Sequence, residues 1–222
     1  MLSLVTLQDV LDFGDPTDQD ASDLDATGPA MTQLAPRLLR TELRAGAWVD
    51  LAPGWLQGVD GVFADLLREV PWRADRRQMY DTVVDVPRLT RFFGATEPWP
   101  HPFLHEIRTA LNAHYQPTLG EPLVTAGMCL YRDGRDSVAW HGDRIGRARH
   151  TDTIVAIVSF GATRTLTLRP SGGGKSLRFV TGHGDLLVMG GSCQRTWEHA
   201  IPKTSEPVGP RISVQYRPAG VR

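Results

Sequence analysis

Along the 222-residue chain the spacing of apolar positions changes character partway. Val59, Val62, Phe63, Leu66, Leu67 and Val70 recur three and four apart, which places them on one face of a helix. Pro71 stops that helix, because a proline ring disfavours helical backbone in the residue before it. A second helix is predicted from about Phe103 to Tyr115, with Phe103, Leu104, Ile107 and Leu111 on one side. From Leu123 onward the texture shifts to short β-type runs separated by glycine and aspartate. These are "LVTAGMCLY", "SVAWHGD", "TIVAIVSFG", "RTLTLRP", "SLRFV", "DLLVMGG", "TWEHAI" and "RISVQYRP". Eight short strands with turns between them predict a mainly β fold with flanking helices (α+β). The architecture expected is a β-sandwich or jelly roll, with both helices packed outside one sheet.

The segment before this is different. "FGDPTDQDASDLDATGP", from Phe13 to Pro29, is acidic, rich in small residues and without aromatic content after Phe13. It cannot bury enough surface to offset chain entropy and reads as a flexible extension. Ahead of it, "LSLVTLQDVLDF" has the pattern of a short amphipathic helix or strand. Globular structure is expected to start near Leu38–Leu43, so the chain divides into an acidic extension, 1–37, and one domain, 38–222. Within that domain, 38–122 holds the helices and 123–222 the β-rich core.

Composition adds three constraints. A hydrophobic fraction of 41% suffices for a sizeable core. Two cysteines, Cys129 and Cys193, cannot build a disulfide framework, which fits a reducing cytosol. No signal-like N-terminus and no apolar run of membrane-spanning length is present, so a soluble, cytoplasmic protein is expected. A monomer is the expected state. The net charge of -1 hides an asymmetry. Residues 1–30 carry seven aspartates and no lysine or arginine, which leaves 18 acidic against 24 basic residues in the rest. A modestly basic body suits a polyanionic partner.

Two motifs that invite a functional reading have simpler structural ones. "SGGGKS", Ser171 to Ser176, lacks the first glycine of a phosphate loop, since Arg169 stands there, and no helix follows it; it reads as a β-hairpin loop. His101 and His105 are four apart, but Pro102 marks the start of the helix and no third ligand is near.

The triplet His-Gly-Asp occurs twice. In a strand, residues i and i+2 share a face, so His141 and Asp143 can both point inward. His183-Gly184-Asp185 sits instead among turn residues ahead of a continuous apolar run, as a hairpin entering a buried strand does. His199, on a later strand, offers a distant third ligand. Two histidines and a carboxylate leave metal positions open, which suits non-haem Fe(II); zinc with three ligands and a water is the alternative. At the C-terminus, Arg211, Ser213, Gln215 and Arg217 share one face of a strand. Two guanidinium groups aimed into a barrel need anions to pair with, and a dicarboxylate would supply them.

These pieces together resemble the AlkB-type Fe(II)- and 2-oxoglutarate-dependent dioxygenases. The resemblance runs from about Val84 to Pro218, through "VPRLTRFFG", "YRDGRDSVAWHGD", "VSFGATRTLTLR", "GDLLVM", "EHAIP" and "RISVQYR", in the family's order. It implies a double-stranded β-helix (a cupin-like jelly roll) with N-terminal helices and a substrate-recognition lid. By the same resemblance His141, Asp143 and His199 bind iron, and Arg211 pairs with 2-oxoglutarate. Arg217, Tyr131 and Ser213 fall at further cosubstrate positions. Fe(II), 2-oxoglutarate and O₂ are the implied cofactors, and an alkylated DNA or RNA base is the implied substrate, freed of its alkyl group as an aldehyde while succinate and CO₂ form. Phe92 or Phe93 in the lid region would stack on a base taken out of its helix. Arg88, Trp140, Arg144, Ile145 and Arg147 are the other expected substrate contacts. Two positions depart from the family's usual pattern. Cys129 stands where an asparagine is common, and Ile145 where an acidic residue often follows the metal aspartate. The latter lies within the basic run "RIGRAR". The same iron chemistry on a protein, lipid or small molecule is the alternative reading.

Overall fold

The computed structural model describes residues 28–79, 82–142 and 147–221. In chain order the strands are β1 (Ala30–Met31), β2 (Leu39–Glu42), β3 (Ala47–Ala52) and β4 (Leu56–Gln57), then helix α1 (Asp60–Glu69), then β5 (Arg73–Met79) and β6 (Thr82–Phe93). Helix α2 (Phe103–Leu119) leads into β7 (Leu123–Tyr131), β8 (Val138–His141), β9 (Val155–Gly161), β10 (Arg164–Pro170), β11 (Leu177–Thr181) and β12 (Leu186–Gly191). A single turn, α3 (Cys193–Thr196), precedes β13 (Trp197–Ile201) and β14 (Arg211–Pro218).

Two antiparallel sheets make a jelly roll. The larger has the order β2-β3-β12-β9-β14-β7-β6-β5, the smaller β11-β10-β13-β8. Period-two alternation divides each central strand between two cores. Ile157, Leu187 and Met189 of the large sheet meet Leu166, Leu168, Trp197 and Ile201 of the small sheet in the barrel interior. The alternate residues Ala156, Val158, Phe160, Ile212, Val214 and Tyr216 face outward against Leu66 of α1 and Leu104, Ile107 and Leu111 of α2. Coverage on both faces explains why β9 reads as an unbroken apolar run rather than an alternating one. Both helices thus pack outside the large sheet.

All eight strands read from Leu123 onward are present, and "SGGGKS" is the loop of the β10–β11 hairpin, with Leu168 opposite Leu177. α1 ends at Glu69, and Val70 takes an extended conformation before Pro71. α2 runs four residues past its expected end at Tyr115; Pro117 lies in its last turn, and Gly120, at φ 79°, closes it by donating its N–H to Gln116 O.

Residues ahead of the expected boundary at 38 are also part of the fold. Met31 pairs with Leu56, Thr32 N–H and the Trp55 indole exchange hydrogen bonds with each other's carbonyls, and Leu34 is buried in the helix-side core. Backbone pairing with β4 and the burial of Leu34 and Met31 against the core hold this segment. The "LSLVTLQDVLDF" stretch and the acidic extension up to residue 27 lie outside the described residues. The β5–β6 hairpin, not anticipated as strands, forms the edge of the large sheet, with an irregularity where residues 86–88 of β6 lie opposite the break in the β5 register. Pro87 is tolerated there because an irregular stretch does not need its missing N–H.

Candidate active site

Strand β13 carries His199 in phase with Trp197 and Ile201, so its side chain points into the barrel, where it is 7% exposed. Directly opposite on β8 stands His141; the ring centroids are 4.2 Å apart at 49°. A bulge makes this possible. His199 pairs with His141, but Ile201 pairs with Val138, so β8 has one extra residue in the interval. Val138 and His141, three apart, would otherwise face opposite sides; here both reach the interior. The His141 ring is also oriented. Its Nδ1 lies 2.8 Å from the Ala139 carbonyl, which can only accept, so Nδ1 donates there and Nε2 is the nitrogen that would serve a metal. Asp143, the third expected ligand, lies outside the described residues.

A second cluster lies on the large sheet's inner face. Arg211 is opposite Tyr131 on β7 and Gly161 on β9, and it is 2% exposed. Its Nη2 donates to Ser159 Oγ at 2.8 Å and reaches Thr181 Oγ1 of the small sheet at 3.4 Å. Nε and Nη1, both buried, meet no hydrogen-bond partner among the described residues. Burial lowers the Arg211 pKa, but a guanidinium stays charged at any ordinary pH. A buried cation with two open donors is costly alone and fits a carboxylate ligand. The Tyr131 ring lies below it, with Arg211 Cζ 5.4 Å from its centroid. Burial raises the Tyr131 pKa and Cys129 adds to this, against a smaller pull downward from Arg211, Arg88 and Arg164. The phenol stays neutral.

The rest of the β14 row continues the same face. Ser213 Oγ accepts from Gln215 Nε2 at 2.6 Å, and Gln215 Oε1 lies 4.0 Å from Cys129 Sγ. Arg217 comes next, against Gly127. A Cβ at Gly127 would stand 2.6 Å from Arg217 Nη1 and 3.0 Å from Gln215 Oε1, so a side chain there would displace both. Tyr131, Cys129 and Gly127 of β7 therefore line one surface with Arg211, Ser213, Gln215 and Arg217 of β14.

The expected substrate contacts separate. Phe92 pairs with Gly127 and is half-buried on the site face. Phe93 pairs with Ala126, is 4% exposed, and belongs to the core between sheet and helices, so it is not a substrate contact; strand alternation sends the two rings to opposite faces. Arg88 is in phase with Phe92 and donates to Ser137 O. Trp140 faces away from the interior because of the β8 bulge and lies under Arg169, 4.1 Å from its Cζ. Arg147 is held by the Ala219 carbonyl and by an ion pair with Glu121, which gives it a structural role instead. Arg144 and Ile145 lie outside the described residues.

The other histidines have separate employments. His101 Nδ1 accepts from Phe103 N–H at the start of α2, while His105 stacks on Trp99, so the pair has no common ligand direction. His183-Gly184-Asp185 is a turn. Asp185 accepts from Gly54 and Gly182 N–H, His183 Nδ1 accepts from Gly161 N–H, and Gly184 is at φ 79°, where a Cβ would stand 2.3 Å from Leu56 O. Sequence reasoning missed Arg164, Ser159 and Thr181. The first two carried a signal: Arg164 is in phase with Leu166 and Leu168, and Ser159 with Val155 and Ile157, all inward.

The 2OG-Fe(II) oxygenase superfamily pattern matches residues 94–217, and the chain belongs to that superfamily. The relatives it resembles within that superfamily are alkB homologues. It is 33% identical over 192 residues to the alpha-ketoglutarate-dependent dioxygenase alkB homolog 3 of Bos taurus, and 31% identical over 192 residues to that of Homo sapiens. Each alignment covers 76% of this chain but 65% of the relative, so the chain spans somewhat less than two thirds of those relatives' length. It is 27% identical over 182 residues to the Homo sapiens DNA oxidative demethylase ALKBH2, covering 71% of this chain and 67% of that one. The structure of OsALKBH1 shares the fold, at a TM-score of 0.57 and 14% identity over 80% of this chain and all of that one. No helix among the described residues is long and apolar enough to cross a membrane.

Proposed function

We propose that this protein is an Fe(II)- and 2-oxoglutarate-dependent dioxygenase that removes alkyl groups from the bases of DNA or RNA. One observation carries the reading. The barrel that aligns His141 with His199 also buries Arg211 with two guanidinium nitrogens open to a carboxylate. A metal bound through two imidazoles and a nearby anion-seeking arginine are what a chelating 2-oxo acid requires. The names of the relatives, dioxygenase and DNA oxidative demethylase, support the same chemistry and substrate class.

In this reading His141 and His199, with Asp143, hold the iron. Bound there, Fe(II) with 2-oxoglutarate and O₂ would supply the oxidation of an N-alkyl carbon. Arg211 holds the distal carboxylate of the cosubstrate, with Ser159 and Thr181 fixing its fork and Tyr131 walling the pocket. Ser213, Gln215 and Arg217 complete the inner surface. Phe92, on the site face of β6, would stack on an extruded base, with Arg88 in phase on the same strand. The excess of basic residues after residue 30 favours a polyanionic substrate.

The working unit is a monomer in this reading, since Leu39 and Val180 are the exposed large apolar side chains among the described residues, and they stand on the outer strands of different sheets. Light scattering on the purified protein checks that. The functional test is incubation with Fe(II), 2-oxoglutarate and a panel of N-methylated oligonucleotides. Formaldehyde release with restoration of the base is expected. Succinate formation driven by a protein, lipid or metabolite, with none driven by the oligonucleotides, overturns the substrate class.

A further inference from the structure

Arg164 opens β10 with its side chain turned inward, 4% exposed. It has no ion pair among the described residues. Its Nη1 donates to Asp133 O at 3.1 Å, and its Nη2 to Asp136 O at 2.8 Å and Pro202 O at 2.7 Å. The Asp136 carboxylate is already engaged by the Arg132 fork, so the carbonyls hold Arg164 without neutralising it. The three carbonyls come from two places. Asp133 and Asp136 lie on the connection that delivers β8 and His141, and Pro202 directly follows β13, which delivers His199. On its other flank, Arg164 Cζ is 5.5 Å from the Tyr131 ring centroid, while Arg211 Cζ is 5.4 Å from the same ring.

We infer that Arg164 is a positioning residue for the cosubstrate pocket. It fixes the Tyr131 ring, and through that ring the Arg211 fork, while tying together the chain ends that carry the two histidines. A planar guanidinium suits this task because one rigid fork satisfies three carbonyls and still presents a face to an aromatic ring. Arg164 and Arg211, both buried, flank one neutral phenol without an ion pair among the described residues, and a dianionic 2-oxo acid would offset their charge. The inference rests on the 2-oxoglutarate reading of the site and adds a residue that would not touch the ligand.

The test is a double-mutant cycle on 2-oxoglutarate affinity, with Mn(II) in place of iron so that no turnover occurs. Arg164→Lys keeps the charge and loses the fork. It is expected to weaken binding roughly 10-fold, within the range shown by coupled neighbours. In a Tyr131→Leu background the same substitution should change affinity by less than about 2-fold, because the ring it acts through is gone. Unchanged affinity in folded Arg164→Lys, or an equal loss in both backgrounds, overturns the inference. If these variants do not fold, hydrogen exchange on the wild-type protein decides. Added 2-oxoglutarate should slow exchange in the 132–137 and 202–204 backbone, and no change there refutes the coupling. Absence of any 2-oxoglutarate binding by the wild type would defeat the cosubstrate reading itself, whereas normal wild-type binding with no effect of Arg164→Lys defeats the positioning role alone.

Discussion

His141 and His199 stand directly opposite one another across β8 and β13, and the pairing depends on a one-residue bulge between them and the Val138–Ile201 pair. Of the two His-Gly-Asp triplets, only the first meets a partner histidine across strands. The second is consumed by backbone hydrogen bonds of the turn before β12.

That contrast predicts opposite behaviour of two similar substitutions. His141→Ala or His199→Ala should lose bound Fe(II), and turnover should fall by more than the ~10–100-fold typical of losing an outer-shell partner of a metal ligand. Gly184→Ala should leave metal content per folded molecule intact but destabilise the protein by about 2 kcal/mol or more, since it forces a positive φ and a clash with Leu56 O. Metal analysis beside urea unfolding separates the two; metal retention in His199→Ala would remove it from the ligand set.

Arg211 should trade stability for ligand binding. Arg211→Met replaces a buried, partly unpartnered cation with an apolar chain of similar length, so the free protein should be as stable or more stable, by up to about 3 kcal/mol. The rise in melting temperature that 2-oxoglutarate with Mn(II) gives the wild type should disappear. A thermal scan with and without cosubstrate reads both, and a retained ligand shift would contradict the assignment.

Cys129 lies in the same row, 4.0 Å from Gln215 and half-buried, whereas Cys193 is 2% exposed. Iodoacetamide labelling followed by mass spectrometry should modify Cys129 in the free protein and leave Cys193 unmodified until unfolding. Mn(II) with 2-oxoglutarate should slow Cys129 labelling several-fold. Equal rates with and without cosubstrate would place the ligand elsewhere.

The loop under Arg164 has its own pH signature. Burial pushes the Asp136 carboxyl upward, but the Arg132 fork and the Arg132 N–H outweigh that and hold it below the usual carboxylate range. A depressed acid contributes stability above its unfolded pKa, near ~4, and loses it as pH falls toward the folded value. Asp136→Asn should therefore cost about 1–3 kcal/mol near pH ~7, and the gap from wild type should shrink near pH ~3. Denaturant midpoints at the two pH values check this; a gap that widens on acidification would reverse the sign.

Much of this site was legible in the chain. In "RISVQYR" strict alternation put Arg211, Ser213, Gln215 and Arg217 together, and the fold confirms that shared face, because side-chain direction in a regular strand follows from backbone stereochemistry alone. Arg164 was readable in the same way from "RTLTLR" and was overlooked among the alternating threonines and leucines. Phe92 and Phe93 show the limit. Alternation says that they diverge, but which one faces the site depends on Gly127 and Ala126 across the strand.

By itself, then, the sequence determined the number of strands after Leu123, the two helices and the residues that share a face along each regular strand, since local spacing carries all of these. Tertiary structure decided which face is the interior, the inward turn of His141 beside an outward Trp140, and the holding of Arg147 by the Ala219 carbonyl and Glu121. A bulge shifts phase by one residue with no mark in the local pattern, and a long arginine takes whichever partners the folded neighbourhood presents. Both are set by chain segments far away in sequence.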